Sequence, residues 1–95
     1  MDCAQFVEQL QESGVDKRFA EFVWKELQAY YFAPLTAHPG DRAISDLRVD
    51  PDDLSDIVSR FEKQFGRRWC GKWVGPDNPT LTEFGLALTA STEAK

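Results

Sequence analysis

Five aspartates lie close together around position 50 and have the greatest capacity for chemistry in this sequence: Asp46, Asp50, Asp52, Asp53 and Asp56. Carboxylates grouped in this way can bind a cation, stabilise the positive end of a helix, or attract a basic protein surface. A calcium loop needs acids at alternating positions, a glycine at the turn and a closing glutamate, and this run lacks that order. We therefore expect no metal at these residues.

Two interpretations of the aspartates remain. A solvated helix start accounts for Asp50, Asp52 and Asp53 without any partner, because negative charge is favourable beside the N-terminus of a helix. It accounts less well for Asp46 and Asp56. We therefore interpret the five residues as a docking surface for a protein with a basic surface.

Catalytic groups are scarce. His38 stands next to a Pro-Gly pair in a loop, Cys3 is near the N-terminus, and Cys70 lies between Trp69 and Gly71. No nucleophile and base can be paired from this pattern, and one His with two distant Cys provides too few ligands for a structural zinc site. We expect no catalysis and no cofactor.

A second charged group combines cations with aromatic rings: Arg67, Arg68, Trp69, Lys72 and Trp73. Single-stranded nucleic acid binders use such mixtures for phosphate contact and base stacking. The net charge of −5 opposes that function, and basic side chains also favour helix C-termini. We expect no nucleic acid partner.

A helix must position the aspartates. Asp50 is a suitable N-cap, Pro51 fits the first helical position, and Gly66 can close the helix in the left-handed conformation. The apolar residues between them follow a 3.6-residue repeat, at Leu54, Ile57, Val58, Phe61 and Phe65. The spacing predicts one helix from Pro51 to Gly66.

The rest of the chain predicts three more helices and no strand. The first covers Cys3–Leu10, the second runs from a cap at Asp16 to near Phe32, and the last begins at the capping box Thr80-Leu81-Thr82-Glu83. Loops occupy 34–49 and 67–79, and 91–95 should fray. The expected fold is an all-α, four-helix bundle with a long loop before the third helix, in a single domain over 1–95.

The order of residues from Asp46 to Gly66 resembles the centre of an acyl carrier protein, where Asp-Leu-Gly-x-Asp-Ser-Leu precedes a helix ending in Glu-x-x-Phe-Gly. It is closest to a divergent, uncharacterised bacterial group that lacks the usual serine. In carrier proteins that serine holds the phosphopantetheine arm, and Pro51 occupies its position here. The resemblance implies an acyl-carrier-like bundle without its covalent group.

Length and hydropathy indicate the compartment. The chain of 95 residues has no apolar run long enough to span a bilayer and no secretory signal at its start. Cys3 and Cys70 are expected to be reduced. We expect a cytoplasmic protein without a membrane partner; its oligomeric state stays open.

We therefore expect an acyl-carrier-like, non-catalytic protein that binds a partner through the acidic helix start. One alternative is a true acyl carrier modified at an unconventional serine, Ser55, which would bring phosphopantetheine as a cofactor. Ser45, in the loop before the helix, is the other candidate hydroxyl. Another alternative is a small acidic immunity or inhibitor protein for a basic toxin or nuclease.

Overall fold

The computed structural model describes residues 2–28 and 38–94. Its elements are α1 (Cys3–Glu12), α2 (Lys17–Gln28), α3 (Pro51–Phe65), β1 (Arg67–Trp69), α4 (Leu81–Ala90) and β2 (Thr92–Ala94). Helix α1 extends slightly further than its apolar spacing predicts. The predicted end of the second helix near Phe32, and the first part of the loop predicted over 34–49, lie outside the described residues.

The predicted start and end of α3 and the predicted start of α4 are confirmed. The Asp50 carboxylate accepts a hydrogen bond from the Asp52 N–H, Pro51 is the first helical residue, and Gly66 closes α3 at φ 61°. At α4 the capping box forms: the Thr80 side chain accepts from the Glu83 N–H, and the Glu83 side chain accepts from the Thr80 N–H. These short-range hydrogen bonds satisfy N–H groups that a helix leaves unpaired at its start.

One hydrophobic core joins all four helices. Phe22, Leu27, Ile57, Phe61 and Phe84 are buried in it. Leu54, Val58 and Phe65, from the predicted apolar face of α3, are half-buried and pack against them. The ring of Phe61 lies 4.8 Å from that of Phe19 and 5.3 Å from that of Phe22, in edge-to-face geometry. Aromatic pairs favour this geometry, and it fixes α3 against α2.

Residues 38–50 form a loop that leads into α3 and is held by burial and hydrogen bonds. Ala43 and Val49 are buried. The Ala43 N–H donates to the Pro79 carbonyl at 2.8 Å, and the Val49 N–H donates to the Ala43 carbonyl at 2.9 Å. The Asn78 side-chain oxygen accepts from the N–H groups of Ile44 and Ser45. The start of α3 is therefore tied to the segment before α4.

The all-α prediction is wrong. Strands β1 and β2 pair as a two-stranded antiparallel sheet in which Arg67 faces Ala94, Arg68 faces Glu93 and Trp69 faces Thr92. The chain is mostly helical but has mixed α/β structure. Three-residue strands are too short to show a period of two, and their pairing joins segments that are far apart in sequence.

The expected fraying of 91–95 is also wrong for the residues that are described. Ser91 is fully buried, and its hydroxyl accepts a 2.7 Å hydrogen bond from the Val74 N–H. Thr92 is 4% exposed, and its hydroxyl donates to the Leu88 carbonyl. The segment after α4 is held because it covers the core and satisfies backbone groups of the 70–76 loop.

Within residues 2–28 and 38–94, no helix combines the length and the apolar character needed to cross a bilayer.

Candidate docking surface

The predicted docking aspartates fall into two groups. Asp46 and Asp50 make hydrogen bonds that stabilise the fold. The Asp46 carboxylate accepts from the Arg42 N–H at 2.8 Å, and the Asp50 carboxylate caps α3. Both remain exposed. Replacing either one would disturb the segment 38–50, which leads into α3, as well as the surface charge.

Asp52, Asp53 and Asp56 are exposed on the first two turns of α3. Among the described residues, the carboxylates of Asp52 and Asp56 have no hydrogen-bonding or ion-pair partner. Further along α3, Arg60 is paired with Glu26 of α2 at 2.9 Å, so that cation is engaged elsewhere. The start of α3 therefore presents negative charge to solvent.

An open groove lies beside these carboxylates, with a volume of about 620 Å³. Helix α3 contributes one stripe to it, and the other side is formed by residues from two loops, β1 and α4. The α3 residues are Pro51, Leu54, Ser55, Val58, Ser59 and Glu62; the remainder are Ile44, Trp69, Trp73, Asp77, Pro79 and Phe84. We call this the α3 groove.

The α3 groove is mainly apolar, and its charged lining residues among those described are both acidic. These are Glu62 at one end of the α3 stripe and Asp77 in the loop. Pro51, Ser55 and Ser59 are exposed, whereas Leu54 and Val58 are half-buried. Asp52 and Asp56 and the groove-lining stripe therefore occupy neighbouring faces of the same helix.

The loop side of the groove is held in place by hydrogen bonds to the end of α4. The Cys70 N–H donates to the Ser91 carbonyl at 2.9 Å, and the Val74 N–H donates to the Ser91 hydroxyl. The indole N–H of Trp73 donates to the Pro76 carbonyl at 3.0 Å, and its ring lies 5.8 Å from that of Phe84. Trp73 is thus fixed with its polar atom satisfied.

Gly75 lets this loop approach α4 closely. A Cβ at this position would lie 2.8 Å from the Ala87 Cβ and 3.3 Å from the Trp73 Nε1. Real Cβ atoms do not approach another carbon so closely, so a larger residue would push the loop away. The groove depends on a glycine that does not line it.

Most residues of the basic and aromatic group around position 70 make contacts within the protein. Arg67 donates to the Thr92 hydroxyl and carbonyl at 2.8 Å each, and its guanidinium lies 5.4 Å from the centre of the Phe19 ring. Arg68 pairs with Glu93 across the sheet, which raises the pKa of its guanidinium. Within the part of the chain that is described, Lys72 alone of these three cations has no such partner.

Cys3, His38 and Cys70 do not line the α3 groove, although Cys70 directly follows the groove residue Trp69. Cys3 is exposed, but slight burial of its thiol, with Glu21 and Asp2 nearby, raises the pKa of that thiol and disfavours the reactive thiolate. His38 and Cys70 are exposed. No three His, Cys, Asp or Glu side chains in the described ranges are grouped so as to hold a metal ion.

The hydroxyls considered for modification differ in their surroundings. Ser45 accepts a hydrogen bond from the Asn78 side-chain amide at 2.9 Å, in the loop that leads to α3. Ser55 is exposed and lines the α3 groove one turn after Pro51. Of the two, Ser55 lies nearer the acidic start of the helix.

Comparison with models of protein families, with curated proteins and with solved structures found no match. The geometry of the chain itself must therefore support any functional proposal. The aspartates were predicted from the sequence, but the α3 groove was missed. Its loop side comes from residues interpreted as irregular, and its position depends on contacts with α4 and Ser91.

Proposed function

We propose that this chain is a non-catalytic protein-binding domain that docks a partner with a basic surface through the start of α3. The observation that carries the proposal is the exposure of the Asp52 and Asp56 carboxylates beside an apolar groove on the same helix. Protein interfaces commonly combine an apolar centre with a polar or charged rim. Complementary charge on the rim accelerates association and helps to orient the partner.

The resemblance to acyl carrier proteins is compatible with this proposal at the level of the motif. Arg48 has φ 60°, in the left-handed region, and it stands where the carrier motif has glycine. Pro51 stands at the serine position and offers no hydroxyl. We propose a chain that keeps the acidic docking helix of such a motif without its covalent arm.

The test is charge reversal with a matched control. Asp52→Lys combined with Asp56→Lys changes the charge at the start of α3, and Glu8→Lys combined with Glu12→Lys makes the same change on the exposed surface of α1. Asp46 and Asp50 are left intact because the fold uses them. Lys at position 52 should cost at most about 1 kcal/mol of stability near the helix dipole.

Partners captured from lysate would be purified and their association measured at low and high salt. We expect the α3 pair to slow association by about tenfold or more at low salt and to weaken its salt dependence, since long-range attraction becomes repulsion. The α1 pair should have a much smaller effect. Equal association rates for the native chain and both variants at every salt concentration would overturn the proposal.

One second candidate has an observation in its favour. Ser55 is exposed and lines an apolar groove that could receive an acyl chain. The chain would then be an acyl carrier modified at an unconventional position, with phosphopantetheine as its cofactor. The acidic groove residues Glu62 and Asp77 would not repel the acyl chain, which is uncharged in thioester linkage; the anionic phosphodiester of the arm would stay at Ser55.

A further inference from the structure

The α3 groove has a shape that selects the kind of segment it can take. Its six α3 residues recur at intervals of three and one from Pro51 to Glu62, which places them in one stripe over three helical turns. At 1.5 Å per residue the stripe is about 16 Å long. An elongated, straight groove of this kind suits an elongated ligand better than a compact one.

The groove is too open to enclose a small molecule. Pro51, Ser55, Ser59, Trp69 and Asp77, which line it, are all exposed to solvent. Small-molecule sites usually bury about 70–90% of the ligand surface. A ligand in the α3 groove would keep one side in solvent, as an amphipathic segment of a protein does.

The structure of the groove wall also indicates that the bound segment is a helix and not a strand. An added strand needs free backbone N–H and carbonyl groups at a sheet edge. The α3 wall of the groove presents side chains instead, because the backbone of a helix interior is already hydrogen-bonded, and β1 contributes only its last residue, Trp69, to the lining. A helix lying along α3 would place apolar side chains at i, i+3, i+4 and i+7, which matches the repeat of the stripe.

The negative charge around the groove favours a bound segment with positive charge. Glu62 and Asp77 line the groove, and Asp52 and Asp56 flank it on α3. Trp69 is 37% exposed, and its ring is available to a cation, for which indole is the best aromatic partner. A segment with Lys or Arg beside its apolar face would meet acidic groups on both sides.

We propose that the α3 groove binds a basic amphipathic helix of the partner protein, with the apolar face of that helix between α3 and Trp69 and Trp73. This inference rests on the proposed docking function and names the class of segment that docks. The hydrogen bonds from the 70–76 loop to Ser91 hold the groove in shape before binding. A preformed site loses less conformational entropy on binding.

The test uses a synthetic, fluorescently labelled helical peptide of leucine and lysine, with leucines at i, i+3, i+4 and i+7. Two control peptides have glutamate in place of lysine, or the same residues in shuffled order. Binding to the full chain is followed by fluorescence anisotropy at two salt concentrations. Ser59→Arg places a cation in the groove, and Gln64→Arg places the same charge on α3 outside it.

We expect the leucine–lysine peptide to bind, and Ser59→Arg to weaken binding by about tenfold or more, as loss of a central contact does. Gln64→Arg should change the dissociation constant by less than about threefold, since an exposed charge outside the interface has a weak effect. Trp69→Ala should also weaken binding, and circular dichroism checks that this variant still folds. The glutamate peptide should not bind.

Three results would overturn the inference. They are equal effects of Ser59→Arg and Gln64→Arg, equal binding of the lysine and glutamate peptides, or a dimer of the chain that Ser59→Arg dissociates in sedimentation. The Asp52→Lys and Asp56→Lys variant, tested on the purified partner, separates the two proposals. If it slows partner association while Ser59→Arg leaves that association unchanged, docking through the acidic start stands and the groove inference fails.

Discussion

At the residue scale, the side chain at position 51 determines whether the start of α3 can carry a covalent group. Pro51 is exposed and has a fixed φ that suits the first helical turn, but it lacks a hydroxyl. Ser55 has the hydroxyl and lies one turn further along, where its N–H and carbonyl belong to the helix. A transferase would have to act on a helix side instead of a helix start.

The expected outcome is that the native chain stays unmodified when it is expressed with an active phosphopantetheinyl transferase. Intact mass spectrometry measures this, and Pro51→Ser is the matched variant, since it restores a hydroxyl at the helix start. Modification of the variant alone would support the likeness to the carrier motif. A gain of one phosphopantetheine on the native chain, mapped to Ser55, would favour the second candidate function.

The residues that cap helices could be predicted, because a cap depends on neighbours within about four positions. Asp50, Pro51, Gly66 and Thr80 all act as the sequence indicates. The role of Arg67 could not be predicted in this way. Its guanidinium binds Thr92, and that contact exists only after α4 has returned the chain to β1.

At the element scale, α3 has two apolar stripes with different tasks. Ile57 and Phe61 are buried in the core, whereas Leu54 and Val58 are half-buried and line the α3 groove. A periodic pattern identifies the helix and the width of its apolar face. It does not show which part of a wide face stays open, because that depends on the elements packed against it.

Phe61→Ala should lower the free energy of unfolding by about 3–5 kcal/mol, which is the usual cost of a cavity left by a buried phenylalanine. Phe61 is completely buried among the rings of Phe19, Phe22 and Phe65, so little can move in to fill the space. Urea denaturation followed by circular dichroism measures the change. An unchanged midpoint would show that this ring cluster is not the centre of the core.

Phe65→Ala is the matched control for that measurement. Phe65 belongs to the same ring cluster but is half-buried, and its ring lies 4.9 Å from that of Phe19 and 5.9 Å from the guanidinium of exposed Arg18. Its removal should cost clearly less than the removal of Phe61, because less apolar surface is returned to water. Equal costs would indicate that the core extends further toward the end of α3 than its burial suggests.

At the scale of the whole molecule, the small sheet connects the core to the α3 groove. Strand β2 provides Thr92 for Arg67 and Glu93 for Arg68, and Ser91 before it holds the 70–76 loop. Arg67 also lies against Phe19 and Phe61. The fold class predicted from the sequence failed here, because this connection depends on pairing between distant and very short segments.

Deletion of residues 92–95 should therefore destabilise the protein, although the sequence alone suggests that this end is dispensable. We expect the free energy of unfolding to fall by about 2–4 kcal/mol, because several hydrogen bonds worth about 1 kcal/mol each are lost. Arg67 would also be left beside the core without its Thr92 acceptors. Urea denaturation measures stability, and hydrogen exchange measures protection of the 70–76 amides.

Glu93→Gln is the control for the deletion, since it removes the exposed ion pair with Arg68 and keeps the strand. It should have little effect on stability or exchange, because exposed ion pairs contribute little. The deletion should instead accelerate exchange at the Cys70 and Val74 amides, whose hydrogen bonds end on Ser91. If neither the deletion nor Glu93→Gln changes stability or exchange, β2 does not support the groove. The 70–76 loop would then be held against α4 by Trp73 and Gly75 alone.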